Sequence, residues 1–248
     1  MSSRVSPASL ESAPLTWRER AVGSGLYGLS RVLRRTAHFQ VDGWEHLHQA
    51  QAQERGIIFV AWHGMTMMLA SFFQNHLDLG RLAIILPDDW RGATLSVWTG
   101  KLGATPFRLH LEGDAGMASA RKLAEVVRHL KAGRDCYITP DGPDGPAYVV
   151  KPGATFLGRK GRACLLPLGA YTRSGYRLKR WDQYVVPRPF CRISIAVGEP
   201  IEVSAESNLS ALDEHLTNQL HRVAAQAAAN YYEQQPASKT DSVQGVEP

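Results

Sequence analysis

Several features that define common protein classes are scarce or missing in this 248-residue sequence. It has three cysteines, Cys136, Cys164 and Cys191, which are odd in number and form no C-x-x-C pair. This usage argues against a disulfide scaffold or a thiolate zinc site and suits a reducing compartment. The first 17 residues contain no apolar h-region, so we expect no secretory signal. The longest apolar stretch, residues 59–73, is short for a membrane span and contains a histidine, which indicates buried core.

Signature motifs of several function classes are also missing. No G-x-S-x-G nucleophile elbow occurs, which counts against a serine hydrolase. The segment DGPDGP at residues 141–146 lacks the third acidic ligand and the closing glutamate of an EF-hand. His46 and His48 have no further ligands nearby in the sequence, so we predict no metal site. No helix-turn-helix, zinc-finger or RNP motif accompanies the basic residues, which argues against nucleic acid as a partner.

The chain alternates apolar, strand-like runs with helical patterns. The strand-like runs cover residues 56–62, 81–86, 105–109, 135–139 and 163–171. The helical patterns cover residues 65–77, 91–102, 114–131 and 206–233. Strands separated by helices predict an α/β fold, a single domain with a mainly parallel central sheet flanked by helices. Residues 1–14 and 235–248 lack periodicity and are expected to be disordered, so the predicted domain spans residues 15–234.

Two basic features accompany the net charge of +5 and favour an anionic partner. Residues 15–36 predict an amphipathic helix with Val22, Leu26, Leu29 and Leu33 on one face and Arg20, Arg31, Arg34 and Arg35 on the other. This helix either packs on the domain with a solvated arginine face or lies on anionic lipid. The second feature is the segment between Asp144 and Asp182, which has eight basic residues and no acidic one. It is either an ordinary solvated face or a platform for lipid, the phosphates of CoA or an acidic carrier protein.

Polar residues stand at the ends of three predicted strands. His63 follows the strand at 56–62, Arg108 lies near the end of TPFRL, and Asp141 follows the strand at 135–139. Ligands of open parallel sheets bind beyond the carboxyl ends of the strands, so we expect these three side chains to meet around one cavity. Two of them also have a structural explanation, because a buried histidine can simply be hydrogen-bonded and DGPDGP, which contains Asp141, can form two tight turns.

Five segments, WHG, GATPFR, ITPDGPDGP, LLPLG and WDQYVVPRPF, stand in an order and spacing that resembles a bacterial lysophospholipid-acyltransferase-like family, related to glycerolipid acyltransferases. The resemblance covers residues 38–200. It implies a glycerolipid-acyltransferase-like fold and transfer of a fatty acyl group to a hydroxyl of a lysophospholipid or related (glyco)lipid. The donor would be a thioester, acyl-CoA or acyl-carrier protein, with no other cofactor. The expected location is cytoplasmic and peripheral, at the anionic inner membrane.

The resemblance also implies roles for individual residues. His63 would be the general base that takes the hydroxyl proton, a task suited to imidazole near neutral pH. Asp141 and Gly142 would belong to the acceptor-positioning loop, with Asp141 in the catalytic group. Arg108 would hold the acceptor's phosphate, because its fork of donors matches phosphate oxygens. Backbone amides near Gly64 or Gly142 could stabilise the oxyanion.

The sequence departs from this pattern in two places. The wider superfamily pairs its histidine with an aspartate five positions later, and this chain has Met68 there. Asp88, Asp89 or Asp141 could replace that relay acid, which would orient the imidazole. The segment LPDDWRGAT stands where the family suggests Ser/His-Arg-Asp-Gly, which leaves the acceptor open. The alternatives are a lipid-binding relative with weakened or lost catalysis, and a thioesterase or lipid hydrolase that uses water as acceptor.

Overall fold

A seven-stranded sheet and a separate two-stranded sheet form the framework of the protein. The computed structural model describes residues 15–109 and 117–233, so the predicted disordered ends, residues 1–14 and 235–248, lie outside the described residues. The strands are β1 (His38–Asp42), β2 (Ile57–Val60), β3 (Leu82–Pro87), β4 (Thr105–Leu109), β5 (Asp135–Ile138), β6 (Cys164–Tyr171), β7 (Gly175–Arg177), β8 (Val185–Pro187) and β9 (Arg192–Val197). The α-helices are α1 (Trp17–Thr36), α2 (Trp44–Gln51), α3 (Thr66–His76), α4 (Trp90–Leu102), α5 (Met117–Lys131), α6 (Gly153–Gly161) and α7 (Leu209–Glu233).

The order of strands in the large sheet is β1-β9-β6-β2-β5-β3-β4. The five strands from β6 to β4 run parallel to their neighbours. β9 is antiparallel to β6 and parallel to β1, and β7 and β8 form an antiparallel hairpin outside this sheet. The predicted single α/β domain with a mainly parallel sheet flanked by helices is therefore confirmed.

Strand β2 shows why this sheet lies between two layers of helices. All four of its residues are buried, as expected for a central parallel strand with both faces covered. Because side chains alternate across a strand, Ile57 and Phe59 pack with α2 and α3 on one face. Ile58 and Val60 pack on the other face with α5, α6 and α7. The carboxyl end of β2 is thereby held in the middle of the molecule.

Helix α1 packs against α4 through Gly23, which differs from the predicted apolar face. A Cβ on Gly23 would lie 2.6 Å from the carbonyl oxygen of Thr94, so the two helices meet where α1 has no side chain. Val22 is 56% exposed, and its assignment to the buried face was wrong because the contact is rotated towards Gly23 and Leu33. In the described ranges, no helix combines the length and apolar character needed to cross a bilayer.

The sequence pattern predicts neither β1 nor α2, which fill residues 38–51. β1 pairs with β9, the strand farthest from it in the chain, and its residues have no clean apolar alternation. The pairing of β1 comes from this distant partner, which explains why a local pattern did not indicate it.

Candidate active site

His63 lies in the turn that joins the carboxyl end of β2 to α3. Residues His63–Met65 form a 3-10 turn, and the next residue begins α3. A Cβ on Gly64 would lie 2.4 Å from the carbonyl oxygen of Asp182, so only glycine lets the segment at Asp182 approach the turn this closely. Gly64 therefore admits a second segment of the chain beside His63.

Asp182 is the carboxylate that contacts the His63 imidazole. Its Oδ2 lies 2.6 Å from Nδ1 of His63, and its side chain is fully buried. The same carboxylate accepts the backbone N–H of Tyr184 and lies 3.4 Å from Nε of Arg180. Because a carboxylate accepts hydrogen bonds, Nδ1 carries the ring proton and donates a hydrogen bond to Asp182. Nε2 then has a lone pair that can accept a proton, and among the described residues none donates a hydrogen bond to it.

The prediction that Asp88 or Asp89 supplies the relay acid was wrong. Asp88 binds two cations, with Oδ1 3.0 Å from Arg108 and Oδ2 2.7 Å from Lys122. Asp89 is the N-cap of α4, where its Oδ1 accepts the backbone N–H groups of Arg91 and Gly92. Both follow a parallel strand of the sheet, as expected, but β5 lies between that strand and β2.

Asp141 supports the backbone at His63 and does not contact the imidazole. Its carboxylate accepts the backbone N–H of His63 at 2.9 Å and that of Tyr148 at 3.4 Å. Burial raises the pKa of this carboxyl, while these two backbone hydrogen bonds lower it. The prediction of Asp141 as a possible relay acid was therefore wrong, while its place in the catalytic group stays a prediction.

Gly142 brings the following loop directly onto the imidazole. A Cβ at this position would lie 3.1 Å from Cδ2 of His63. Its backbone N–H donates to the carbonyl oxygen of Thr139. An oxyanion site formed by backbone amides near Gly64 or Gly142 stays a prediction. On the other side of the imidazole, the rings of Trp181 and Tyr184 lie 5.5 and 5.7 Å away. The histidine is thus enclosed by loops that come from two different parts of the chain.

A cavity of about 530 Å³ is lined by His63 and lies between the sheet and helices α1, α3 and α4. Its walls are mainly apolar, and the side chains that form them include Leu26, Met67, Phe73, Ile84, Leu95 and Trp98. Gly142 lines it beside His63, and the polar residues Arg91, Lys151 and Arg180 line it as well. The volume lies within the range of pockets that bury small ligands, and the apolar walls suit a hydrocarbon chain.

Arg108 does not join the other predicted residues at the cavity. Its guanidinium binds Asp88 and the carbonyl oxygen of Asp89, and its Nε is buried without a partner among the described residues. The arginines of the described chain that line the cavity are Arg91 and Arg180. The expectation that His63, Arg108 and Asp141 meet around one cavity is therefore correct for His63 alone, with Asp141 directly behind it.

Comparison with known proteins relates this chain to lipid acyltransferases. No protein-family model matches it. The chain is 29% identical over 147 residues to the lipid A biosynthesis lauroyltransferase of Escherichia coli (strain K12), a match that covers 54% of this chain and 45% of that enzyme. Its structure is similar to that of the 1-acyl-sn-glycerophosphate (LPA) acyltransferase PlsC from Thermotoga maritima, with a TM-score of 0.55 and 17% identity. That alignment covers 88% of this chain and 85% of the PlsC chain, and it establishes the fold.

The chain is also similar to the uncharacterized protein RP090 of Rickettsia prowazekii (strain Madrid E). The two are 33% identical over 153 residues, which cover 62% of this chain and 67% of the Rickettsia protein. At a coarse level, the shared fold and the partial match to the lauroyltransferase relate this chain to lipid acyltransferases. The chain belongs to the family of the Rickettsia protein RP090, and its fold is that of the PlsC acyltransferase.

Proposed function

We propose that the protein transfers a fatty acyl group from a thioester donor, acyl-CoA or acyl-carrier protein, to a hydroxyl of a lysophospholipid or related (glyco)lipid. The observation that carries this proposal is the His63–Asp182 pair, with a distance of 2.6 Å between Nδ1 and Oδ2, whose histidine lines a mainly apolar cavity of about 530 Å³. Acylation of a hydroxyl by a fatty acyl donor calls for a base that takes the hydroxyl proton and for an apolar cavity that accommodates the acyl chain. The relationship to a lauroyltransferase and to the PlsC fold supports the same reaction class.

The proposed reaction gives each proton transfer to an atom of this chain. Nε2 of His63 takes the proton of the acceptor hydroxyl as its oxygen attacks the carbonyl carbon of the thioester. Asp182 accepts the hydrogen bond from Nδ1 and stabilises the imidazolium that forms. The C–S bond then breaks, the sulfur keeps the electron pair, and the imidazolium returns the proton to it. The products are an ester and a free thiol, and His63 is neutral again.

Basic residues in the wall of the cavity suit an anionic group on the substrate. Lys151 and Arg180 line the cavity, and Arg108 does not. We therefore place the phosphate of the acceptor or donor near Lys151 and Arg180 and not at Arg108. Arginine and lysine both bind phosphate, and arginine does so with two parallel hydrogen bonds.

The proposed setting is the cytoplasmic face of the inner membrane, with anionic lipid as a partner. Helix α1 exposes Trp17 and Val22, with 73% and 56% of their surfaces accessible. The arginines predicted for the polar face of α1, Arg20, Arg31, Arg34 and Arg35, are exposed as well. Exposed aromatic and aliphatic side chains beside arginines are typical of a helix that lies in a lipid interface.

The function is tested by incubating the purified protein with acyl-CoA or acyl-carrier protein and a panel of lysolipids, and by identifying the products by mass spectrometry. We expect an acylated lipid that depends on both substrates, and its loss in His63→Ala. His48→Ala is the matched control, because His48 is exposed on α2. Free fatty acid formed equally without an acceptor would identify a hydrolase. Binding of lipid without turnover in any combination would identify the non-catalytic alternative.

A further inference from the structure

Arg91 joins the start of α4 to the loop of residues 141–148. Its Nε donates to Oδ2 of Asp89 at 2.7 Å. Its two terminal nitrogens donate to the two carboxylate oxygens of Asp144 at 2.5 and 3.1 Å. The planar guanidinium matches a carboxylate in this bidentate arrangement, which is the stronger form of such a pair. One side chain thus binds carboxylates on two different segments beside the cavity.

The α4 side of this link is fixed to the sheet. Asp89 caps the helix by accepting two backbone N–H groups of its first turn. A Cβ on Gly92 would lie 1.7 Å from the carbonyl oxygen of Pro87, so the helix starts in direct backbone contact with the end of β3. The position of Arg91 is therefore set by the core of the fold.

The loop side of the link carries groups that surround His63. Asp141 accepts the backbone N–H of His63, and the backbone of Gly142 packs on the imidazole. Gly142 and Pro143 line the cavity, and Asp144 follows them directly. A shift of the loop at Asp144 would consequently change both the wall of the cavity and the surroundings of the base.

The link lies near the surface, which makes it reversible. The side chains of Arg91 and Asp144 are 34% and 53% exposed, so water and salt weaken their attraction. The hydrogen bond from Arg91 is the main reason that the pKa of Asp144 is lowered, and the carboxylate is ionised at neutral pH. The pair is thus charged under working conditions and can open and close without burying an unpaired ion.

We propose that Arg91 is a positioning residue that holds the 141–148 loop against His63 and over the cavity through Asp144. Its consequence for acyl transfer rests on the function proposed above. The charge of the pair, and not the identity of either residue, is what this role requires. Reversing both charges should then preserve the function, because the arginine still lies close to carboxylates on α4.

The test is a charge-reversal cycle with Arg91→Asp, Asp144→Arg and the double variant. Each single variant should lower kcat/KM by roughly tenfold, a coupling usual for residues in contact, and the double variant should recover to within about threefold of the wild type. Hydrogen exchange gives a second readout that needs no turnover. The amides of His63 and Tyr148, which both donate to Asp141, should exchange faster in the single variants and be protected again in the double variant.

Arg55→Asp is the matched control, because Arg55 forms an ion pair with Glu202 beyond the opposite end of β2. It should leave the exchange of the two amides unchanged. Wild-type rates and protection in both single variants would overturn the proposal, and so would a double variant no better than the weaker single one. If the wild type transfers no acyl group, the function proposed above fails. The exchange data alone then decide for or against the positioning role.

Discussion

The replacement Asp182→Asn tests most sharply how His63 is activated. In the wild type the carboxylate is fully buried, and its Oδ2 lies 2.6 Å from Nδ1. The imidazolium that forms during the reaction therefore faces the Asp182 carboxylate at hydrogen-bond distance, and Arg180 lies beside the other carboxylate oxygen. For charge centres about 4 Å apart and an effective dielectric constant near 20, the attraction is about 4 kcal/mol. Because about 1.4 kcal/mol of barrier changes a rate tenfold, we expect kcat to fall by roughly 10³-fold.

The assay is the steady-state rate of thiol release from acyl-CoA or acyl-carrier protein in the presence of the acceptor. The loss should appear in kcat with little change in KM, since Asp182 does not line the main cavity. Asparagine keeps the size of the side chain, and thermal melting shows whether the variant is folded. Asp88→Asn is a useful comparison because Asp88 binds Arg108 and Lys122, and we expect a much smaller loss.

A second variant reaches the same pair by geometry instead of charge. Gly64→Ala introduces a Cβ that would lie 2.4 Å from the carbonyl oxygen of Asp182, so the segment must move away from His63. We expect a loss of kcat in the same direction as for Asp182→Asn.

Retention of more than about a third of the wild-type kcat in Asp182→Asn would refute the proposed role of Asp182 in activating His63.

Three further predictions concern the surroundings of the site. Arg91 lowers the pKa of Asp144 below its ordinary 3.8, so the pair stabilises the fold above that pH and loses this contribution as the pH falls through the lowered value. The melting temperature of Asp144→Asn should accordingly lie below that of the wild type at neutral pH and match it in strong acid; a constant difference would contradict this. Ala70 lines the cavity, so Ala70→Phe should reduce kcat/KM for long acyl donors more than for short ones, and an equal reduction for all chain lengths would exclude the cavity as the acyl site. Trp17 is exposed, so Trp17→Ser should weaken co-sedimentation with anionic vesicles, and added salt should reduce the co-sedimentation as well. Vesicle binding that changes with neither salt, lipid charge nor this substitution would contradict the membrane role of α1.

The sequence indicated correctly those features that depend on local patterns. Continuous apolar runs identified β2 and β5, and each strand ends three residues before a residue of the site, β2 before His63 and β5 before Asp141. The helical pattern over residues 206–233 corresponds to α7, whose Leu212, Leu216 and Leu220 are buried on one face at helical spacing. Such features follow from the period of a strand or a helix and do not require knowledge of the strand order.

The partner of His63 could not be found in this way. Asp182 lies 119 residues away in the chain, in the segment between β7 and β8, and it reaches His63 because β6 lies beside β2. Asp88 and Asp89 follow the next predicted strand in the sequence and were therefore candidates for this partner. In the sheet, β5 lies between β2 and β3, so the two aspartates are one strand further from His63 than a neighbouring strand would place them. The available signal was the WD pair at residues 181–182, which stands in one of the five segments that carry the family resemblance.

The central claim, that His63 and Asp182 act as one unit in acyl transfer, is tested most directly by a double-mutant cycle. The rates of acylated-lipid formation are compared for the wild type, His63→Ala, Asp182→Asn and the variant that carries both changes. We predict that the double variant is no slower than His63→Ala, because the carboxylate has no role once the imidazole is gone. Losses that multiply, or a rate in His63→Ala close to that of the wild type, would contradict the account.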